Sequence, residues 1–429
     1  MTLQADARPA SDRRTRLEAS GSGDALALAQ LARRAAPIAV LCAGAPDAQR
    51  LVDEIRFFDP TLRLALLPDW ETLPYDTFSP HQDLVSERLE TLYRLTRGEF
   101  DAVVLPAATA LLRLCPPAYL AAHTFFLRRG DRFSIDAFRS QLTLAGYSHV
   151  SQVVSPGEYC VRGGLIDLYP MGSAIPYRID LAEDAIDSIR AFDADTQRTL
   201  YKVSDIRLLP AREFPMDEPS RVGFRTRFRE TFEGDVTRAP VYRDVSNGIP
   251  SAGIEYYLPL FFESTGTFFD YLPRDATVVL HGDCAAAAAE FWQAVQTRYR
   301  LLRGDRTRPI LPPGRLFLSE EELFVTLRGH ARCDLRRTAA AAPPDVSLER
   351  RAEDPLHRLK AFLAVAPGRT LIVADSAGRR ETMREYFQTY GLDLPPVKSF
   401  ADFLAAGADT MLGIGPLQSG FLGLSLIHI

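Results

Sequence analysis

Gly21-Ser22-Gly23-Asp24-Ala25 stands at the start of a helical pattern and shortly ahead of an apolar run at residues 38–41. That is the setting of a phosphate loop. Such a loop, GxxxxGK[ST], needs glycines so that backbone N–H groups can approach phosphate, a lysine for the β and γ oxygens, and a hydroxyl for Mg²⁺. Here Asp24 holds the lysine position and Ala25 the hydroxyl position. A carboxylate repels phosphate, and alanine offers a metal nothing. The chain has three lysines, Lys202, Lys360 and Lys398, and none completes the motif elsewhere. The second half of a nucleotide site is an apolar strand ending in paired acids that hold Mg²⁺. The best candidate, Thr277-Val-Val-Leu280, runs instead into His281-Gly282. Gly21, Gly23, Asp24, Ala25, His281 and Gly282 therefore read as a degenerate nucleotide site, with no catalytic residue, no metal site and no cofactor expected. Two plainer readings stand beside this one: a Gly-Ser-Gly string is often only a turn, and a lone histidine after a strand is often structural.

Composition sets the outer limits. A net charge of -5 over 429 residues argues against a chain that wraps nucleic acid by bulk electrostatics, although it says nothing of local patches. Cys42, Cys115, Cys160, Cys284 and Cys333 are odd in number and widely spaced, which suits reduced thiols in a cytoplasmic protein. The polar residues 1–16 lack the apolar core of a secretory signal, and no run is long enough to span a membrane.

The elements that would position these residues follow from periodicity. Apolar runs at residues 38–41, 62–67 and 102–105 predict strands, and the patterns over 47–58 and 84–95 predict helices between them. Strands alternating with helices imply a parallel α/β sheet of the motor (RecA-like) type. From residue 129 to 215 the texture changes to short strands and turns around one helix at 135–145, a small α+β domain inserted into the first. The α/β character resumes over 216–337, with a strand at 277–280 and a helix at 285–299. Residues 338–354, beginning TAAAAPP, read as a linker. A further small α/β domain is expected over 355–429, with strands at 370–373 and 411–414 and a helix at 378–390. Its apolar end, residues 424–429, suggests a truncated domain.

Several strings are specific. Pro68-Asp-Trp-Glu-Thr-Leu-Pro-Tyr-Asp76, Phe78-Ser-Pro-His81, Ser86-Glu-Arg-Leu89, Tyr159-Cys-Val-Arg-Gly-Gly-Leu-Ile-Asp167, Tyr169-Pro-Met-Gly172, Pro176-Tyr-Arg-Ile-Asp180, Phe192-Asp-Ala-Asp-Thr-Gln-Arg198 and Gly253-Ile-Glu-Tyr-Tyr257 resemble the bacterial transcription-repair coupling factor family. A weaker likeness runs to Gly415-Pro-Leu417 and Gly420-Phe421. The region concerned is the N-terminal one, similar in turn to the excision nuclease subunit UvrB. The resemblance implies a UvrB-like fold that has lost its ATPase. It also implies a DNA-translocating motor using ATP and Mg²⁺, and an RNA-polymerase-binding domain, both beyond this chain. The inserted domain would bind UvrA, and the module would fold back on the motor.

By position, Arg162 and Arg178 match the two arginines that the resemblance assigns to acidic residues of UvrA, with Asp180 and Leu181 beside them. Planar guanidinium groups suit bidentate carboxylate contacts at an interface. The competing reading pairs them within the chain, Arg162 with Asp167 or Arg178 with Asp180. The family's aromatic pair after this aspartate is replaced by Leu181 and Ala182, so the apolar half of such an interface is reduced. Trp70, Tyr75 and Phe78 suit either a base-stacking platform or a packed loop. Arg225, Arg227 and Arg229 suit either phosphate or an exposed helix face. The alternatives to a UvrA-recruiting module are a UvrB-like DNA-binding ATPase and a scaffold without a partner.

Overall fold

A computed structural model describes residues 14–35, 37–338, 344–366 and 368–422. Most of the expected linker string at 339–343, the polar start at 1–13 and the apolar end at 423–429 lie outside the described residues. Six parallel strands form the main sheet in the order Arg14–Ala19, Ala331–Arg337, Thr277–His281, Ile38–Cys42, Ala102–Pro106 and Leu64–Leu66. The strands Ile38–Cys42 and Ala102–Pro106 are buried at every residue. Continuous apolar runs of this kind are what a sheet covered on both faces demands.

Side-chain alternation divides these strands between two cores. Ala39, Leu41, Val103, Leu105, Val278 and Leu280 point into the larger one, with the helices Gln82–Thr96 and Cys284–Leu302. Ile38, Val40, Val104, Val279 and Leu335 point into the other, beneath the helices Gly23–Ala35 and Ala45–Phe58. The result is the doubly wound α/β architecture that strand–helix alternation implies.

The insertion is a second six-stranded sheet. Thr199–Val203, Ala185–Phe192, Tyr177–Ala182, Leu165–Leu168 and Glu158–Arg162 are antiparallel, and Ser148–His149 adds a short parallel edge. It enters and leaves through the antiparallel pair Phe125–Arg128 and Asp205–Leu208. Phe125–Arg128 thus pairs with the insertion and not with the preceding α/β segment, to which the sequence reading gave it. One face of the inserted sheet, with Tyr159, Ile166, Leu168, Ile179 and Ile189, packs on the larger core.

The third unit holds the parallel pair Thr370–Ala374 and Thr410–Ile414 with the helices His357–Val365, Ala377–Thr389 and Phe400–Ala405. Val397, Phe400, Phe403 and Met411 join the second core, so this unit is packed on the first. Phe400 meets Phe58 edge-on at 5.0 Å.

The loop with the aromatic string is mostly core. Trp70 and Tyr75 are buried, and Tyr75 donates to the Leu311 carbonyl at 2.9 Å. Only Phe78, 70% exposed, remains available at the surface. The three alternating arginines are each engaged within the chain: Arg225 with Glu218, Arg227 with the Leu260 carbonyl, and Arg229 over the Tyr242 ring.

Candidate functional site

Two groups of charged residues emerge, one under the main sheet's edge and one on the inserted sheet. In the first, the structure brings together the two halves of the degenerate nucleotide site. Asp24 opens the helix Gly23–Ala35, and His281 ends the central strand Thr277–His281. His281 Nε2 lies 2.8 Å from Asp24 Oδ2. Arg50 grips both oxygens of Asp24, at 3.0 and 2.7 Å, and reaches Glu54 Oε2 at 2.7 Å. Glu54 Oε1 accepts from the Ser22 hydroxyl at 2.8 Å. All five side chains are buried.

Burial pushes the Asp24 carboxyl up, but the hydrogen bonds from His281 and Arg50 and the Arg50 charge outweigh it and bring it down to about 2. For Arg50, burial works against the charged form, while Asp24 and Glu54 raise it further above its ordinary value. An aspartate held at about 2, against a usual 3.8, stabilises the fold fully above 3.8 and loses that contribution as pH falls through 2. Unfolding measured between pH 5 and 2 should therefore show the gap between the unaltered chain and Asp24→Asn narrow by about 2 kcal/mol. A gap that stays constant through this range would show that Asp24 is not held charged by these partners.

Arg50 and Glu54 were not singled out from sequence, yet a signal exists. They are spaced i,i+4 in the helix Ala45–Phe58 among Leu51, Ile55 and Phe58, so a charged pair falls on the face that must be buried.

The second group lies on the outer face of the inserted sheet. Cross-strand register aligns Cys160, Asp167, Arg178, Arg190 and Lys202 in one row. Asp167 is buried, and Arg178 directly opposite binds it twice, at 2.7 and 2.9 Å, while lying over the Phe192 ring at 4.8 Å. The Asp167 hydrogen bond raises Arg178 above its ordinary value. Arg162, a diagonal neighbour on the same face, reaches the same carboxylate at 2.5 Å. Both candidate arginines are therefore held by one aspartate. Asp180 does not pair with Arg178; it takes Arg190 and the Ser188 hydroxyl. Exposure separates the two arginines: the Arg162 side chain is 54% exposed and that of Arg178 only 17%.

Arg162 closes its strand just before Gly163-Gly164, a two-residue hairpin in which Gly163 has φ +61°, a conformation that favours glycine. The side chain thereby stands at the tip of a tight turn. Leu181 differs from its expected place. Strand alternation sends it to the opposite face from Asp180, where it packs against the larger core, and only Ala182 is exposed. Arg162, Arg178, Arg190 and Lys202 share this face with Glu158, Asp167 and Asp180, four cations to three carboxylates, so the strip is slightly basic.

No helix among the described residues is long and apolar enough to cross a membrane. A parallel sheet covered on both faces and interrupted by a small antiparallel domain defines an α/β module with an inserted domain. Residues 125–214 match the family model of the UvrB interaction domain, and residues 362–427 match that of the MFD, D3 domain. The chain is 40% identical over 428 residues to the transcription-repair-coupling factor of Escherichia coli, an alignment covering 96% of this chain and 37% of that protein. It is 38% identical over 418 residues to that of Haemophilus influenzae, covering 93% and 36%. The match to that of Bacillus subtilis is 28% over 259 residues, covering 57% and 22%. The chain belongs to the transcription-repair coupling factor family and corresponds to its N-terminal, UvrB-like region. It spans little more than a third of the length of those first two relatives.

Proposed function

We propose that this module recruits UvrA through its inserted domain, bringing excision repair to sites where the longer protein has removed a stalled RNA polymerase. The observation that carries this reading is the coincidence of the UvrB interaction domain match with a solvent-facing basic strip headed by Arg162. A strip of guanidinium groups on a rigid sheet suits an acidic partner surface, and such groups give both steering and bidentate contacts. The longer protein would act in the cytoplasm as an ATP-dependent translocase on duplex DNA, using Mg²⁺, with polymerase contacts outside this chain. The module itself would hydrolyse no ATP, and at rest it would fold back on the motor.

The test is a titration of this chain against UvrA by calorimetry. Arg162→Ala is expected to weaken binding about tenfold or more, on the scale of an interface hot spot, with an unchanged melting temperature. Arg178→Glu is expected to abolish binding and also to destabilise the insertion, because it sets a second carboxylate against buried Asp167. Unchanged affinity in both variants would refute the interface, and ATP turnover above background would refute the non-enzymatic reading.

A further inference from the structure

We infer that the loop at Gly21–Ala25 is a docking site for the chain's own residues 416–421, and that this peptide, not a nucleotide, is its ligand. The inference stands apart from the UvrA reading and would survive its failure.

A phosphate loop works by leaving successive backbone N–H groups free for the ligand. Here those of Ser22, Gly23, Asp24 and Ala25 are already committed. Ser22 N–H donates to the Ser419 carbonyl at 3.1 Å, Gly23 N–H to the Ser20 carbonyl at 3.0 Å, and Asp24 N–H to the Gly21 carbonyl at 3.5 Å. Ala25 N–H donates to Asp24 Oδ1 at 2.7 Å. The incoming peptide returns the contacts: Ser419 N–H donates to Ser22 Oγ at 3.2 Å, and Gln418 N–H to Glu54 Oε1 at 2.9 Å. Glu54 is thereby satisfied by Arg50, Ser22 and the docked backbone together.

Space and charge agree. A Cβ on Gly21 would fall 2.3 Å from the Gly420 carbonyl oxygen, and one on Gly23 would fall 2.9 Å from the Phe421 ring. The peptide thus fills the space over both glycines, its backbone against Gly21 and the Phe421 ring against Gly23. Phe421 and Leu417 pack into the second core, with Phe421 edge-on to Phe58 at 6.0 Å. Beneath the loop, Asp24 and Glu54 face a single guanidinium, Arg50, a balance that disfavours any added anion. ATP and Mg²⁺ do not fit the residues present. The docked peptide instead follows directly on the strand Thr410–Ile414, so the loop ties the third unit to the first.

Hydrogen exchange on the whole chain tests this. The amides of Ser22, Gln418 and Ser419 are expected to exchange at least tenfold more slowly than in free peptides, and Mg·ATP at millimolar concentration is expected to leave them unchanged. Gly23→Val is expected to release Gln418 and Ser419, and adding Phe421→Ala is expected to restore protection by making room. If Gly23→Val fails to fold, Gln418→Pro decides, since it removes the peptide's donor to Glu54 and constrains the backbone at 417–418, and should speed exchange at Ser22. Free-peptide rates at Gln418 and Ser419 in the unaltered chain would overturn the proposal. So would acceleration of those amides by Mg·ATP, or a Gln418→Pro chain in which Ser22 stays protected.

Discussion

Asp24→Lys, which restores the cation of a phosphate loop, is expected to destabilise the α/β unit severely and to leave it without nucleotide binding. The lysine would enter a fully buried position 3 Å from the Arg50 guanidinium, with His281 on its other side. Removing one partner of a buried ion pair costs about 3–5 kcal/mol, because the remaining charge has neither water nor a counter-ion. Introducing a like charge adds repulsion in a medium of low dielectric, where it is screened far less than at a surface. Domains are stable by only about 5–15 kcal/mol, so this one change approaches the whole margin. Asp24→Asn should cost less, since the amide keeps an oxygen for Arg50. Urea unfolding followed by circular dichroism gives the order: unaltered chain, then Asp24→Asn, then Asp24→Lys. An Asp24→Lys chain as stable as the original would mean that the network contributes nothing to stability.

That expectation shows where sequence reading reached its limit. The strand Ile38–Cys42 and the helix Ala45–Phe58 were legible because an apolar run and a helical period are local properties. The substitutions at Asp24 and His281 were also legible, each against a motif. What could not be read was that the two side chains would bond to each other, since they meet only when the helix Gly23–Ala35 and the strand Thr277–His281 come together in the fold, beside Arg50 of the helix Ala45–Phe58. Arg50 and Glu54 match no motif, and only their place among Leu51, Ile55 and Phe58 marks them as a buried pair. On the inserted sheet, Arg178 had two plausible partners in sequence, Asp167 and Asp180. Register decided between them: Asp167 is directly opposite Arg178, while Asp180 lies two residues along the same strand, within reach of Arg190. Leu181 lies on the face opposite Arg178, and family position takes no account of the face to which alternation sends a residue. The docking of residues 416–421 on the loop joins segments almost 400 residues apart, and no periodicity carries such a contact.

The second large effect is expected at Arg88→Met. Arg88 is fully buried in the helix Gln82–Thr96, where Nε donates to Glu213 at 2.6 Å and Nη1 to the Pro68 carbonyl at 2.7 Å, with the guanidinium over the Trp70 ring at 5.2 Å. Glu213 follows the last strand of the insertion, so this pair ties the insertion's exit to the helix and the loop beneath it. Methionine fills much of the volume but leaves the Glu213 carboxylate with only the Trp70 indole N–H, 3.4 Å away. The expected loss is about 3–5 kcal/mol at neutral pH. Arg88→Met combined with Glu213→Leu should recover most of the loss, since no uncompensated charge remains, and a double-mutant cycle from urea midpoints measures the coupling directly. Additive costs in that cycle would show that the two residues do not act as a pair. Strong coupling would make the base of the insertion a rigid joint, and Arg162 at its hairpin tip would then be presented to a partner in one fixed orientation relative to the main sheet.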